Sequence, residues 1–472
     1  MLRVTPPTPD ATAGVPTPGG AAAPADAPAL WSAPHRDTPL EAVVPVPGSK
    51  SLTNRYLVVA ALAERSSLLR DPLDSRDTRL MVDALRRLGS EVVEGGPGGP
   101  SDGAAGAADW VVHPNEVRGG VSVDCGLAGT VMRFLPPVAA LAGSPVAFDG
   151  DPRARVRPMA ALLTALRQLG AEVDDGGRGL LPFSVRGRDG GLPGGTATID
   201  ASGSSQFVSA LLLAGARFRD GLVLHHEGPP VPSEPHVRMT IEVLRDVGVV
   251  VDDSVPGTWH VEPGEINALD VQVEPDLSNA APFLAAAAVC GGRVRVPAWP
   301  QSTTQAGDLL RDVLDQMGAD VTLDREGLLV EGTGELFGVD LDLREAGELA
   351  PVITALAALA SSPTQLRGIA HLRGHETDRL KALVTEINGL GGDAVETADG
   401  LLVRPRTLHG GVFQTYADHR MATAAAVLGL QVEGVRVVDV ATTRKTLPDF
   451  PGMWDAMLRG TPEPTGRASG SR

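Results

Sequence analysis

The sequence predicts an α/β protein assembled from six copies of one unit, and three observations carry that prediction. An amphipathic helical phrase ending in glycine recurs at a nearly constant interval. A second, almost wholly apolar helical phrase recurs in step with it. Short stretches rich in β-branched residues fall between the two.

The amphipathic phrase reads "MVDALRRLGSEVV", "LLTALRQLGAEVD", "TIEVLRDVGVVVD", "LLRDVLDQMGADVT" and "LVTEINGLGGDAV". Its glycines, Gly89, Gly170, Gly248, Gly318 and Gly391, lie 81, 78, 70 and 73 residues apart. A glycine just past the last apolar residue is a helix stop, because the chain turns left-handed there. The apolar phrase begins with polar residues and continues in alanine and leucine, as in "GSKSLTNRYLVVAAL", "GLAGTVMRFLPPVAAL", "SGSSQFVSALLLAGA", "PDLSNAAPFLAAAAV", "GELAPVITALAAL" and "YADHRMATAAAVLGL". A helix apolar all round is a buried one. Markers at Lys50, Gly129, Ser205, Ser278, Glu348 and Asp418 are 79, 76, 73, 70 and 70 residues apart, so the body is six units of about 75 residues. The sixth closes at Gly460, 42 residues beyond Asp418. Stretches such as "SPVAFDG", "GLVLHHEG" and "VRVVDVA" read as the intervening strands.

Outside that body lie two segments with no periodicity. Residues 1–37, rich in proline, alanine and glycine, and residues 461–472 are expected to be disordered tails. The first lacks the apolar region and cleavage motif of a secretory signal and is poor in arginine for a transit peptide.

A net charge of −17 over 472 residues argues against a general nucleic-acid or membrane-surface binder. The longest apolar run, around "PFLAAAAVC", is half of the roughly 18 residues a membrane span needs. The two cysteines, Cys125 and Cys290, provide neither a disulfide framework nor a metal-ligand spacing. A cytoplasmic, soluble, enzyme-sized body of roughly 420 residues is expected.

The chemistry-bearing residues gather where the buried helices begin. A helix N-terminus has unsatisfied N–H groups and partial positive charge, and so suits anions. These starts supply Lys50, Ser51 and Arg55; Gly129 and Thr130; Ser204, Ser205 and Gln206; and Asp418, His419 and Arg420. Taken singly, each reads as ordinary capping, and "GSKS" lacks the spacing of a phosphate-binding P-loop. Taken together they point to a pocket for several anionic groups. "GDPRARVRPM" adds Arg153, Arg155 and Arg157, which share one face if the stretch is extended. "HLRGHETDRLKAL" adds His371, Arg373, His375, Glu376, Asp378 and Arg379, and "TTRKTLPDF" adds Arg444 and Lys445. Glu348 stands at the mouth of an apolar helix, where desolvation would bring a carboxyl toward general-base range.

These stretches resemble the 3-phosphoshikimate 1-carboxyvinyltransferase (EPSP synthase) family over roughly residues 40–460. The motifs that carry the likeness are "PGSKSLTNR", "AGTVMRF", "GDPRARVRPM", "GSSQF", "HETDRL", "DHRMA" and "TRKTLPDF", in family order. The resemblance implies an α/β fold (α+β in some schemes) of two globular domains, each of three βαβαββ units. It places one domain at 50–274, inserted into a second built from 38–49 and 275–460. It implies transfer of the enolpyruvyl group of phosphoenolpyruvate to the 5-hydroxyl of shikimate 3-phosphate without metal or cofactor, and since a closing two-domain enzyme needs no partner, a monomer is expected. On the matching positions, Lys50, Gly129, Arg153, Gln206, Arg379, Arg420 and Lys445 would hold phosphoenolpyruvate. Lys50, Ser51, Arg55, Ser204, Ser205, Gln206, Ser233, Glu348, His371 and His375 would hold shikimate 3-phosphate. Glu348, Glu376 and Lys50 would handle protons, with His419 nearby.

The chain departs from the family pattern at several of these positions. Glu348 stands where many members have Asp, His371 where Asn is common and His375 where Lys is common. His236 replaces a Tyr and Leu127 an Asn. Two other readings remain: a sister transferase acting on UDP-N-acetylglucosamine, and a non-catalytic sensor of phosphorylated metabolites. The former carries a cysteine in the loop where this chain has Arg153, and the latter has no need of both Glu348 and Glu376.

Overall fold

A computed structural model of the chain describes residues 29–95, 108–188, 190–374 and 376–460. The six buried helices are all present, interleaved with six amphipathic ones. In chain order the helices are α1 Lys50–Leu62, α2 Arg76–Arg87, α3 Gly129–Ala139, α4 Ala160–Gln168, α5 Ser205–Gly215, α6 Pro235–Asp246, α7 Leu277–Cys290, α8 Leu310–Gln316, α9 Ala350–Leu359, α10 Arg379–Gly389, α11 His419–Gln431 and α12 Phe450–Arg459. Odd-numbered helices are the apolar phrases and even-numbered ones the amphipathic phrases. Each of the five stop glycines of the amphipathic phrase has a left-handed φ, from +83° at Gly248 to +115° at Gly89. A Cβ there would be strained whatever the surroundings.

Five of the six units are each built on a four-stranded sheet of the same topology. In the second unit, Val121–Asp124 runs parallel to Val146–Asp149, with Val121 opposite Val146. Phe183–Arg186 then pairs antiparallel with Val146–Asp149, and Glu172–Asp174 closes the sheet. Helix α3 makes the parallel crossover and α4 precedes the final hairpin, giving the order βαβαββ. In two units the first strand comes from a distant part of the chain. Asp270–Gln272 lies parallel to Ser67–Arg70, and Leu40–Val43 lies parallel to Gly292–Pro297.

Buried apolar side chains form two clusters. One is drawn from residues 52–273, the other from 33–44 together with 277–457. The chain passes between them twice, side by side: Ser49 N–H donates to the Glu274 carbonyl (2.7 Å), and Asp276 N–H donates to the Pro47 carbonyl (2.9 Å). Both passages deliver a polar helix start, Ser49 for α1 and Asp276 for α7.

One expectation is corrected. The disordered tail does not run to residue 37, because Leu30–Ser32 pairs antiparallel with Arg436–Val438 and extends the sixth sheet. Trp31 packs edge-on against Phe450 with ring centroids 6.2 Å apart, and Ala33 belongs to the second core. A three-residue strand after a proline-rich run has too little pattern to declare itself. Residues 1–28 and 461–472 lie outside the described residues.

Candidate active site

The starts of the buried helices meet in one cleft between the two cores, and hydrogen bonds within each start explain the local geometry. Ser49 caps α1 by accepting from Leu52 N–H, and Ser204 caps α5 by accepting from Gln206 N–H. Asp276 caps α7 and also accepts from Lys50 N–H at 3.2 Å, tying α1 to α7 across the two halves. Asp418 caps α11 through Arg420 N–H and pairs with Arg379 Nε at 2.7 Å, so α10 and α11 begin at the same point.

The cleft wall includes Lys50, Arg133, Arg157, Arg379, Arg420 and Lys445, set against the carboxylates of Asp77, Asp276, Glu348 and Glu376. Six cations against four acids make a basic pocket in an acidic protein, which focuses field on anions. Burial, reinforced by Lys445 and Arg420 nearby, brings the Lys50 ammonium down to about 8. Burial and the neighbouring Arg157 bring Arg133 down to about 10. Arg379 is held well above its ordinary value by Asp418 and Glu376 in spite of its burial. Glu376 is shared, hydrogen bonded to Arg379 Nη2 at 3.0 Å and to Lys445 Nζ.

Most of the residues singled out in the sequence converge here. Lys50, Ser51, Gly129, Ser204, Ser205, Gln206, Ser233, Glu348, His371, Glu376, Arg379, Arg420 and Lys445 all line the cleft. Gly129 leaves the α3 start open: a Cβ would stand 3.4 Å from Gln206 Oε1 and 3.5 Å from Arg133 Nη1 and Arg157 Nη1. Ser233 adopts φ +50° just before α6, and Glu348 occupies a tight turn, Gly347–Leu349, ahead of α9.

Two arginines do not follow the expectation. Arg55 is absent from the cleft wall and is 2 % exposed. Its guanidinium is used within the protein, donating to Thr240 Oγ1 (2.8 Å), Ser209 Oγ (3.3 Å) and the carbonyls of Ser51 and His236 (both 2.9 Å). Arg153 is exposed and donates to the Tyr416 carbonyl at 3.3 Å. It lines an adjoining cavity that shares Arg157, Glu376 and Lys445 with the cleft. "GDPRARVRPM" is a series of turns rather than a strand, so its arginines diverge. Arg155 pairs with Asp149 at 2.7 Å while Arg157 reaches the cleft. His375 lies outside the described residues.

Sequence reasoning missed Arg133 and Asp77 as wall residues. Arg133 follows Gly129 by one helical turn, and its Nη1 donates to Gln206 Oε1 at 2.7 Å. That i,i+4 spacing within "GTVMR" was the available signal. Asp77 Oδ2 stands 3.9 Å from Lys50 Nζ.

His419 is buried, and neither ring nitrogen has a hydrogen bond among the described residues. Burial, with Arg420 and Lys445 beside it, pushes its pKa far down, so the ring is neutral. Cys125 is buried with its thiol pushed up by desolvation, and Cys290 is raised to about 11, both as expected of structural thiols. Among the described residues no cluster of three or more His, Cys, Asp or Glu could hold a metal ion, and no helix is long and apolar enough to cross a membrane.

The family model described as EPSP synthase (3-phosphoshikimate 1-carboxyvinyltransferase) matches residues 34–454. The chain belongs to the EPSP synthase family. A relative from Kocuria rhizophila, named 3-phosphoshikimate 1-carboxyvinyltransferase, is 62 % identical over 435 residues, covering 91 % of this chain and 96 % of that protein. Two solved structures of EPSP synthase from Acinetobacter baumannii align with TM-scores of 0.75 and 0.73. Each is 24 % identical and covers 90 % of this chain and 97 % of its own. At that identity they show the fold, which is the two-domain α/β architecture of EPSP synthases.

Proposed function

We propose that the cleft transfers the enolpyruvyl group of phosphoenolpyruvate to the 5-hydroxyl of shikimate 3-phosphate, releasing phosphate. The observation that carries this reading is the convergence of six cations and two acids, Glu348 and Glu376, on one cleft from both halves. Two phosphates and two carboxylates must be held together there, and excluding water strengthens each contact.

Glu348 takes the 5-hydroxyl proton as the oxygen attacks C2 of phosphoenolpyruvate, while an acid delivers a proton to the C3 methylene. The product of this addition is a tetrahedral ketal. Loss of a methyl proton and departure of phosphate then complete the elimination. Lys50, Arg379, Arg420 and Lys445 hold phosphoenolpyruvate, and Gly129 lets its backbone approach. Ser51, Ser204, Ser205, Ser233 and His371 hold shikimate 3-phosphate, with Gln206 between the two substrates. Phosphoenolpyruvate competes with Glu376 for Arg379 and Lys445, and its arrival frees Glu376 to carry the proton for the methylene. Lys50, with its pKa near 8, is the other group able to do so. Arg133 and Arg157 join the expected cations, and Arg153 acts from the neighbouring cavity. The domain limits of 50–274 and of 38–49 with 275–460 are part of the same proposal, supported by the two cores. So is a monomeric state, since one chain supplies both acids and all the wall cations, and a cytoplasmic location belongs to the same proposal.

The test is phosphate release from phosphoenolpyruvate with shikimate 3-phosphate, with UDP-N-acetylglucosamine and with neither. Release with shikimate 3-phosphate alone is expected. Release with the nucleotide sugar would overturn the acceptor assignment, and silence from protein that still binds shikimate 3-phosphate would overturn catalysis. Glu348→Gln should lower kcat by at least about a hundredfold while shikimate 3-phosphate still binds.

A further inference from the structure

His236 lies in the first turn of α6, within the inserted half, and its partly buried ring reaches across the cleft. Its Nε2 stands 3.7 Å from Glu348 Oε1, with side-chain exposures of 15 % and 19 %. The backbone beneath the ring is held by other helices. The His236 carbonyl accepts from Arg55 Nη2 of α1 at 2.9 Å, from Ser209 Oγ of α5 at 3.2 Å and from Thr240 Oγ1 at 2.9 Å. This is where the Arg55 guanidinium is spent. On the far side, His371 packs against the turn that presents Glu348, since a Cβ on Gly347 would stand 2.9 Å from His371 Nε2. Two neighbouring contacts hold the same segments together, Ser233 N–H to the Arg344 carbonyl at 3.3 Å and Arg238 to Glu345 at 3.2 Å.

We propose that His236 is a positioning residue for Glu348: its ring, fixed by Arg55 through the His236 carbonyl, orients the carboxylate that receives the acceptor's proton. The inference rests on the reading of Glu348 as general base. Desolvation keeps the imidazole neutral, with Glu348 and Asp276 acting to raise its pKa and Arg55 and Arg420 to lower it. The 3.7 Å separation is longer than a hydrogen bond; a small shift as the cleft tightens on substrate brings the two within reach, and a neutral ring with its proton on Nε2 then donates to the carboxylate without placing a competing cation beside the acceptor. A hydrogen bond given to a carboxylate favours its ionised form, the form that accepts a hydroxyl proton.

The test uses the full chain with His236→Phe, which removes the donor, and His236→Gln, whose amide reaches the position of Nε2. Arg238→Ala serves as control, since it breaks only the exposed neighbouring pair. His236→Phe is expected to lower kcat about tenfold, to leave the KM for shikimate 3-phosphate within about threefold, and to move the acidic limb of the kcat–pH profile upward. His236→Gln should recover most of kcat and the original limb, and Arg238→Ala should stay within about twofold throughout. A raised KM with unchanged kcat would make His236 a substrate contact and overturn the proposal. So would an unmoved limb, or a Gln variant no better than Phe. If the Phe variant does not fold, His236→Asn, whose amide falls short of Glu348, takes its place with the same expectations. Glu348→Gln run alongside separates the two readings. An inactive Glu348→Gln variant together with wild-type behaviour in His236→Phe defeats this inference alone. An active Glu348→Gln variant defeats the general base and this inference with it.

Discussion

At the scale of single residues, the cleft is defined by how much it costs to keep its cations charged. Lys50 shows this most clearly. Its pKa of about 8 lies below the ordinary value of 10.5, so between those values the folded protein binds fewer protons at this group than the unfolded chain does. The Lys50 contribution to stability therefore rises with pH across that window, and at neutral pH the folded site carries the strain of an underused cation. A bound phosphate reverses the balance by favouring the charged form. Shikimate 3-phosphate binding at about pH 8.5 should take up protons, and affinity should fall about tenfold per pH unit above 8. Calorimetric titration in two buffers of different ionisation heat measures the uptake directly, and zero uptake would contradict it. Lys50 was legible in the sequence only in company: alone it reads as the solvated flank of a capped helix, and several polar helix starts together point to an anion pocket. Arg55, one turn further on, looked the same but is spent on Thr240, Ser209 and His236. Chain position cannot show whether a guanidinium points along the helix toward the cleft or sideways into a neighbouring helix.

At the scale of the element, the repeat was legible because it rests on local chemistry. A glycine stop and an apolar run are decided within a dozen residues, and every glycine read as a stop has the positive φ that a stop requires. Strand partners are decided elsewhere in the chain. Nothing near Ser67–Arg70 says that its parallel neighbour is Asp270–Gln272, two hundred residues away. Nor does Leu30–Ser32 advertise its partner at 436–438. Helix capping, by contrast, makes a local prediction with a non-local consequence. Asp418 both caps α11 and neutralises the buried Arg379, with side-chain exposures of 0 % and 2 %. Asp418→Asn retains an oxygen for the cap but removes the charge. It should cost about 3 kcal/mol in urea unfolding, because breaking a buried pair strands its partner. Glu376, the other acid on Arg379, should then be drawn more tightly to it, and the KM for phosphoenolpyruvate should rise. A loss below about 0.5 kcal/mol would show that Glu376 alone satisfies Arg379.

At the scale of the whole molecule, two apolar cores are joined by polar contacts. Those joining them at the cleft include Lys50 to Asp276, Ser233 to Arg344, Arg238 to Glu345, His236 to Glu348 and Arg153 to Tyr416. Polar interfaces of this kind hold domains together weakly, so each half keeps much of its own stability. The substrates are expected to load the halves unequally. Ser51, Ser204, Ser205 and Ser233 belong to the inserted half, whereas Arg379, Arg420 and Lys445 belong to the other. Shikimate 3-phosphate at about a hundred times its Kd contributes about 2.7 kcal/mol to whatever it binds. For a half of this size that is a shift of roughly 5–10 °C in Tm. Scanning calorimetry should therefore show the inserted half's transition moving upward with shikimate 3-phosphate alone, the other half's moving less. Adding a non-reacting analogue of phosphoenolpyruvate should bring the two transitions together, because ligands that touch both walls couple the cores. Equal movement of both halves with shikimate 3-phosphate alone would mean that the polar contacts across the cleft already make the molecule one cooperative unit.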